Sequence, residues 1–175
     1  MTRVFEQERS QTVLLAIDAG RMMATRLGRI SKLDHAINAA LLLGWVALRK
    51  GDRVGLVVFG DQVHQFVAPG RGQAQYRKIL DALYAIEAED TFVDFRRLVE
   101  FVQIRQRKRA LLVMFSDLLD EAHAMPLAEH AALLRRRHLA VCVTMHDPVA
   151  ERFADAPVED AKAAYMRAAA ADLLA

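Results

Sequence analysis

The chain has 175 residues, of which 54% are hydrophobic and 26% charged, a composition that indicates a folded globular domain and excludes a disordered chain. With 24 basic and 22 acidic side chains, the net charge of +2 favours no polyanionic partner, so we expect no nucleic acid. No apolar run approaches the roughly 20 residues that span a bilayer, and the charged start lacks a signal-peptide core. We therefore expect a cytoplasmic segment without membrane contact, and the single Cys142 fits a reducing compartment.

In chain order, buried strands alternate with helices. Short, nearly continuous apolar runs predict strands covered on both faces at 12–17, 53–59, 109–115 and 139–145. A partly alternating run predicts an antiparallel edge strand at 62–67. Apolar residues at helical spacing predict helices at 32–51, 72–87, 93–108, 126–138 and 156–175. The predicted fold class is α/β: a doubly wound, mostly parallel sheet with one antiparallel edge strand and helices on both faces.

The whole chain, 1–175, is predicted to be a single domain. In a doubly wound sheet, a helix at 156–175 would normally lead to another strand, so we expect a domain that lacks its last strand and is a fragment of a longer protein. The strand at 139–145 would then be an unpaired apolar edge. Such an edge invites strand pairing with a second copy, and we predict self-association through Val141 to Met145.

Two carboxylates stand at the ends of two predicted strands that would be neighbours in the centre of the sheet. Asp18 ends the first strand, in "VLLAIDAGRMM", and Ser116 and Asp117 follow the strand at 109–115. Ligands of open α/β sheets bind outside the carboxyl ends of the strands, so these side chains are candidate ligands of Mg²⁺ or Mn²⁺, which prefer oxygen. The alternative is that both carboxylates cap loops or helices, or pair with Arg21.

Known catalytic motifs are absent from the sequence. It contains no GxxxxGK[ST] or GxGxxG phosphate loop, no GxSxG elbow and no zinc-like histidine or cysteine spacing. An aspartate-nucleophile phosphatase would need an acid at Gly20. We therefore expect no enzyme. The alternative is a divalent-metal enzyme that uses Asp18 and Asp117, with Ser116, Asp120 and Glu121 as further candidate ligands.

Three stretches, "FEQERSQTVLLAIDAGRMM", "KLDHAINAALLLGWVALRKGDRVGLVVFGDQV" and "LLVMFSDLLDE", carry a family resemblance. The chain resembles the von Willebrand factor A-like bacterial proteins encoded beside MoxR-type AAA+ ATPases, domain of unknown function family fifty-eight. The resemblance spans essentially the whole chain and is most specific at 33–63. It implies a von Willebrand A-like, Rossmann-like fold, and a longer protein with membrane-spanning helices upstream.

The resemblance also implies a metal-ion-dependent adhesion site. Its ligands are the motif DxSxS after the first strand, a threonine in a middle loop and an aspartate after a later strand. Asp18 and Asp117 match the two aspartates, whereas Gly20 and Met22 replace the serines. In the simplest alignment Val93 takes the threonine position, with Thr91 close by and Asp94 after it. The resemblance therefore implies a degenerate site that binds Mg²⁺ or Mn²⁺ weakly or not at all. We expect a guanidinium, that of Arg21, to neutralise the carboxylates.

The expected function is a non-enzymatic protein-interaction module whose partner is a MoxR-type ATPase or that ATPase's client. A third candidate function is an oligomerisation or assembly domain, with a homodimer formed through the 139–145 strand. The contact surface is predicted to lie around the degenerate site, at Gly20, Arg21, Met22, Thr91, Asp94, Ser116 and Asp120.

Overall fold

A five-stranded sheet forms the centre of the chain in a computed structural model that describes residues 10–117 and 133–145 and the single positions 162, 164, 167 and 168. Within the described residues the strands are β1 (Thr12–Asp18), β2 (Arg26–Leu27), β3 (Ile30–Ser31), β4 (Arg53–Phe59), β5 (Val63–Gly70), β6 (Leu111–Phe115) and β7 (Leu139–Val143). The sheet order is β5-β4-β1-β6-β7, and β2 and β3 form a separate hairpin. β1 pairs in parallel with β4 and β6, β6 pairs in parallel with β7, and β5 runs antiparallel to β4.

These pairings confirm the predicted α/β class with its single antiparallel strand. The predicted bounds of β4 match the observed strand, and those of the other sheet strands differ by up to three residues at an end. β7 lies at one edge of the sheet, with Leu139, Val141 and Val143 exposed. That position is consistent with the predicted edge, whereas pairing with a second copy stays a prediction.

The helices α1 (Lys32–Arg49), α2 (Gly72–Tyr84) and α3 (Phe95–Arg105) cover both faces of the sheet. Alternate residues of β1 explain this arrangement, because successive side chains of a strand point to opposite faces. Leu15 and Ile17 belong to the core shared with α1 and α2, whereas Leu14 and Ala16 belong to the core shared with α3. β1 is thus buried on both faces, as its continuous apolar run predicts.

The first turn of α1 is fixed by a capping box. The Ser31 hydroxyl accepts from the Asp34 backbone N–H at 3.0 Å, and the Asp34 carboxylate accepts from the Ser31 N–H at 2.9 Å. Two backbone donors that lack intrahelical partners are satisfied in this way. Lys32, the first residue of α1 after the Ser31 cap, is therefore held in a fixed position, and it is buried.

Several expectations are corrected by the structure. The hairpin of β2 and β3 was not predicted, because two-residue strands carry no alternation; its turn contains Gly28 at φ +69°. Trp45 and Cys142 lie within the apolar runs at 32–51 and 139–145, from which core positions are expected, but both are exposed. Of the predicted helix at 126–138, residues 133–135 are helical, and 126–132 lie outside the described residues, as does most of 156–175.

Within the described residues, no helix is long and apolar enough to cross a membrane.

Candidate functional site

The end of β1 is the point where the order of the sheet reverses. The chain leaves β1 for β4 on one side and later returns to β6 on the other. Ile17 is paired with Phe115, so Asp18 and Ser116 follow side by side at the carboxyl ends of neighbouring parallel strands. This is where ligands bind in open α/β sheets. The predicted proximity of the Asp18 and Asp117 segments is therefore present.

Asp18 is almost completely buried and its carboxylate oxygens are both engaged. Oδ1 accepts from the backbone N–H of Gly20 at 2.6 Å, and Oδ2 accepts from the Ser116 hydroxyl at 2.6 Å. Burial raises the pKa of Asp18 to about 6, against the lowering effect of these two hydrogen bonds; the charge of Asp117 raises it further. A carboxylate that titrates so near neutrality carries a substantial desolvation cost when ionised.

Asp117 is paired with a lysine that the sequence reasoning missed. The Lys32 ammonium donates to Asp117 Oδ2, and both side chains are almost fully buried, at 2% and 1% exposure. Lys32 is the first residue of α1, which the capping box holds in place beside the ends of β1 and β6. The buried charge of Asp117 is thus compensated from within the chain.

The space beside Gly20 is filled by the loop between α2 and α3. A Cβ at Gly20 would lie 2.7 Å from Val93 Cγ2, 3.1 Å from Asp18 Oδ1 and 3.2 Å from the Thr91 carbonyl oxygen. The loop is held there by main-chain hydrogen bonds, because Arg21 N–H donates to the Thr91 carbonyl at 3.0 Å. Only glycine therefore fits without displacing Val93 or the loop.

The predicted contact residues divide into an exposed and a buried group. Arg21 is exposed and its guanidinium lies 3.8 Å from the centroid of the Phe92 ring, which is itself 56% exposed. The Arg21 guanidinium therefore stacks on an aromatic ring, and the cation that pairs with the Asp117 carboxylate is Lys32. Met22, Thr91 and Asp94 are partly exposed, Gly20 and Ser116 are buried, and Asp120 and Glu121 lie outside the described residues.

Asp94 has a local structural role. Its side chain accepts from the Arg97 backbone N–H at 3.2 Å and thereby caps α3. Its other oxygen lies 3.4 Å from the Arg97 guanidinium and 3.6 Å from that of Arg96. Asp94 is therefore the N-cap of α3.

Comparisons with known proteins agree with the fold. The family described as "Protein of unknown function DUF58" matches residues 1–167. The chain belongs to this family. No curated protein sequence matches this DUF58 chain.

Solved structures similar to this DUF58 protein are von Willebrand A domains and related proteins. The SpRpn10 VWA domain superposes with a TM-score of 0.56 at 16% identity, over 92% of this chain and 82% of that one. BatB from Bacteroides thetaiotaomicron gives 0.57 at 16% identity, over 77% and 66%. The pilus adhesin SpaC from Lactobacillus rhamnosus GG gives 0.58 at 12% identity, over 97% of this chain and 30% of that chain. Identities this low establish the von Willebrand A-like fold and nothing finer.

The side chains at the Asp18 edge do not fit the metal site that such a fold implies. A hard divalent cation needs about six oxygen ligands, whereas Gly20, Met22 and Val93 stand where the family resemblance implies hydroxyl ligands. The Asp117 carboxylate is bonded to the Lys32 ammonium, and Asp18 is hydrogen-bonded by Ser116 and Gly20. Both carboxylates are therefore already engaged by groups of the chain itself.

Replacement of Gly20 by serine, which would restore one hydroxyl, should destabilise the protein. Its Cβ would lie 2.7 Å from Val93 Cγ2, and overpacking of this kind costs about 1–3 kcal/mol. We expect Gly20→Ser to lower the free energy of unfolding in urea by that amount. In a Val93→Ala background, which lacks Cγ2, the same change should cost less. Equal costs in both backgrounds would refute the steric explanation.

Proposed function

We propose that this DUF58 protein is a non-enzymatic protein-interaction module whose degenerate adhesion site works without a metal ion. The observation that carries the proposal is the buried ion pair between Lys32 and Asp117. The ammonium is tethered to the chain and supplies positive charge to a carboxylate that corresponds to a metal ligand in the resembling family. A permanent internal cation makes the shape of this edge independent of the divalent-ion concentration.

The contact surface would be the exposed surface next to Gly20 and the loop between α2 and α3. It is formed by the stacked Arg21 and Phe92 side chains, with the partly exposed Met22 and Thr91 beside them. Aromatic and arginine side chains are the residues most enriched at the energetic centres of protein interfaces. Their stacking fixes the guanidinium before binding, which reduces the entropy that a partner would have to overcome.

The proposed partner is a MoxR-type AAA+ ATPase or a protein which that ATPase remodels, as the family resemblance implies. The structural neighbour SpaC is a pilus adhesin, which supports a binding role for the shared fold. In the full-length protein, a membrane anchor upstream would place this domain at the cytoplasmic face. The role would then be assembly or remodelling of protein complexes.

The metal-independence of the site is tested by calorimetric titration with Mg²⁺. We expect no saturable binding tighter than about 0.1 mM, because the hydroxyl ligands are missing and Lys32 already neutralises Asp117. Asp18→Ala serves as the site-directed control. Tighter binding that Asp18→Ala abolishes would overturn this part of the proposal and favour the divalent-metal enzyme.

The partner is tested by pull-down with a MoxR-type AAA+ ATPase, with and without ATP. We expect capture by the wild-type chain and at least tenfold less capture by Arg21→Glu and Phe92→Ser. Arg77→Glu, at an exposed position of α2, is the charge-matched control for the arginine variant. Capture that is equal for all four proteins would exclude this surface.

The assembly alternative is favoured by the exposed apolar edge of β7, whose side chains at Leu139, Val141 and Val143 are at least 36% exposed. Light scattering over a concentration series decides it. A mass that rises to twice the monomer and returns to the monomer in Val141→Lys would support a homodimer. A monomer at every concentration would refute it.

A further inference from the structure

A second cluster of charged side chains lies at the same end of the sheet but outside the Asp18 edge. Asp61 belongs to the turn between β4 and β5, His64 is the second residue of β5, and Glu89 lies in the loop between α2 and α3. One ligand atom from each residue lies within 4.8 Å of the other two. The sequence reasoning missed this set because the three residues show no motif spacing.

The geometry points to a divalent transition-metal site formed by Asp61, His64 and Glu89, and we propose Zn²⁺ as the ion that it takes. An imidazole combined with carboxylates is a ligand set suited to Zn²⁺, and three protein ligands leave a fourth position for water. The three proposed ligands are not residues of the proposed contact surface, so Zn²⁺ binding here does not require the proposed interaction function.

Two of the three separations between ligand atoms are close to those of a tetrahedral site. Two ligands at 2.0–2.1 Å from Zn²⁺ lie roughly 3.3 Å apart. His64 Nε2 is 3.4 Å from Glu89 Oε2 and 3.9 Å from Asp61 Oδ1. The two carboxylates are about half exposed, at 45% and 53%, so small rotations of these side chains would bring all three atoms to coordination distance.

The imidazole nitrogen gives a second reason for a ligand at this place. Among the described residues, His64 Nε2 is buried and makes no hydrogen bond, and the Thr91 hydroxyl oxygen is also buried without one. A Cβ at Gly60 would lie 2.9 Å from Nε2 and 3.5 Å from Thr91 Oγ1, so both atoms border one small space. A buried ring nitrogen that has two carboxylates at 3.4 and 3.9 Å but no hydrogen bond is placed as a ligand of an ion bound between them would be.

The backbone holds the cluster in place without a metal ion. Glu89 N–H donates to the Ala19 carbonyl at 2.7 Å, and Asp94 N–H donates to the Gly60 carbonyl at 2.9 Å. These bonds fasten the loop between α2 and α3 to the ends of β1 and β4. Zn²⁺ would link the same loop to the β4–β5 turn through side chains, and would thereby stiffen the support of the Phe92 ring.

The proposal is tested by calorimetric titration of the whole chain with Zn²⁺ at neutral pH, together with the visible absorption of the Co²⁺ complex. We expect one saturable site with a tetrahedral Co²⁺ spectrum. Loss of a residue that only hydrogen-bonds a metal ligand weakens metal binding roughly 10–100-fold. Because His64 would be a ligand itself, His64→Ala should weaken Zn²⁺ binding by more than this. Glu89→Gln, a conservative change at an exposed side chain that keeps the fold, should weaken it at least tenfold.

Two controls make the outcome specific. His35→Ala removes an exposed imidazole on α1 and should leave the Zn²⁺ affinity unchanged. Asp18→Asn should also leave it unchanged, which separates this site from the Asp18 edge. The proposal is overturned if Zn²⁺ gives no saturable binding, if His64→Ala and Glu89→Gln bind as the wild type does, or if Asp18→Asn alone abolishes binding.

Discussion

Lys32→Met should be one of the most destabilising single substitutions in this protein. It removes the cation that pairs with Asp117 but leaves that carboxylate buried. Breaking a buried ion pair in this way costs about 3–5 kcal/mol, since the remaining charge has neither water nor a partner. We expect urea unfolding at neutral pH to show a loss of this size. A large part of the total stability of a domain this size would be lost.

The second partner of the pair provides the matched control. Lys32→Met combined with Asp117→Asn removes both charges, so the double variant should recover most of the stability that the single variant loses. Lys78→Met, at an exposed position of α2, removes a lysine charge without breaking a buried contact and should change stability by less than about 0.5 kcal/mol. If Lys32→Met were as mild as Lys78→Met, the ion pair would not be the element that compensates Asp117.

The sequence predicts the sheet because the relevant signals are local. A buried parallel strand is a short apolar run, and β4 shows this pattern between two polar boundaries, so its observed bounds equal the predicted ones. Asp18 and Asp117 could likewise be placed together from strand order, because the residue after each strand lies at the same edge. Both inferences use only the sequence of a strand and the few residues on either side of it.

The contacts that decide the chemistry of the edge join residues far apart in the sequence. Lys32 and Asp117 are separated by 85 positions, and no spacing rule links a helix start to a strand end at that distance. One local sign was present: a lysine in the first turn of a helix opposes the helix dipole, so a carboxylate partner elsewhere was to be expected. Arg21 lies only three positions after Asp18, but its guanidinium stacks on the Phe92 ring.

Asp18→Asn should raise stability at neutral pH and have little effect in acid. In the native state the pKa of Asp18 is about 6, against 3.8 for an ordinary aspartate, chiefly because of burial. Between these two values the folded chain keeps a proton that the unfolded chain has released, so stability falls as pH rises through this window. This loss of stability is absent below pH 3.8, the ordinary pKa. It is complete above about pH 6, the native pKa, where it reaches about 3 kcal/mol.

Asparagine keeps the hydrogen bonds of this site without the charge. Its carbonyl oxygen can accept from Gly20 N–H, as Oδ1 does now, and its amide can donate to the Ser116 hydroxyl. We therefore expect Asp18→Asn to be more stable than the wild type by about 1–3 kcal/mol at pH 7.5, with a much smaller difference at about pH 4. Urea unfolding at both pH values measures the two differences.

Comparison with an exposed carboxylate isolates the effect of burial. Asp81→Asn, on the solvent side of α2, should shift stability by less than about 0.5 kcal/mol at either pH. A gain for Asp18→Asn that is equal at both pH values would mean that burial of the charge is not its cause. A loss at neutral pH would mean that the ionised carboxylate stabilises the fold, as it would if a bound cation compensated it there.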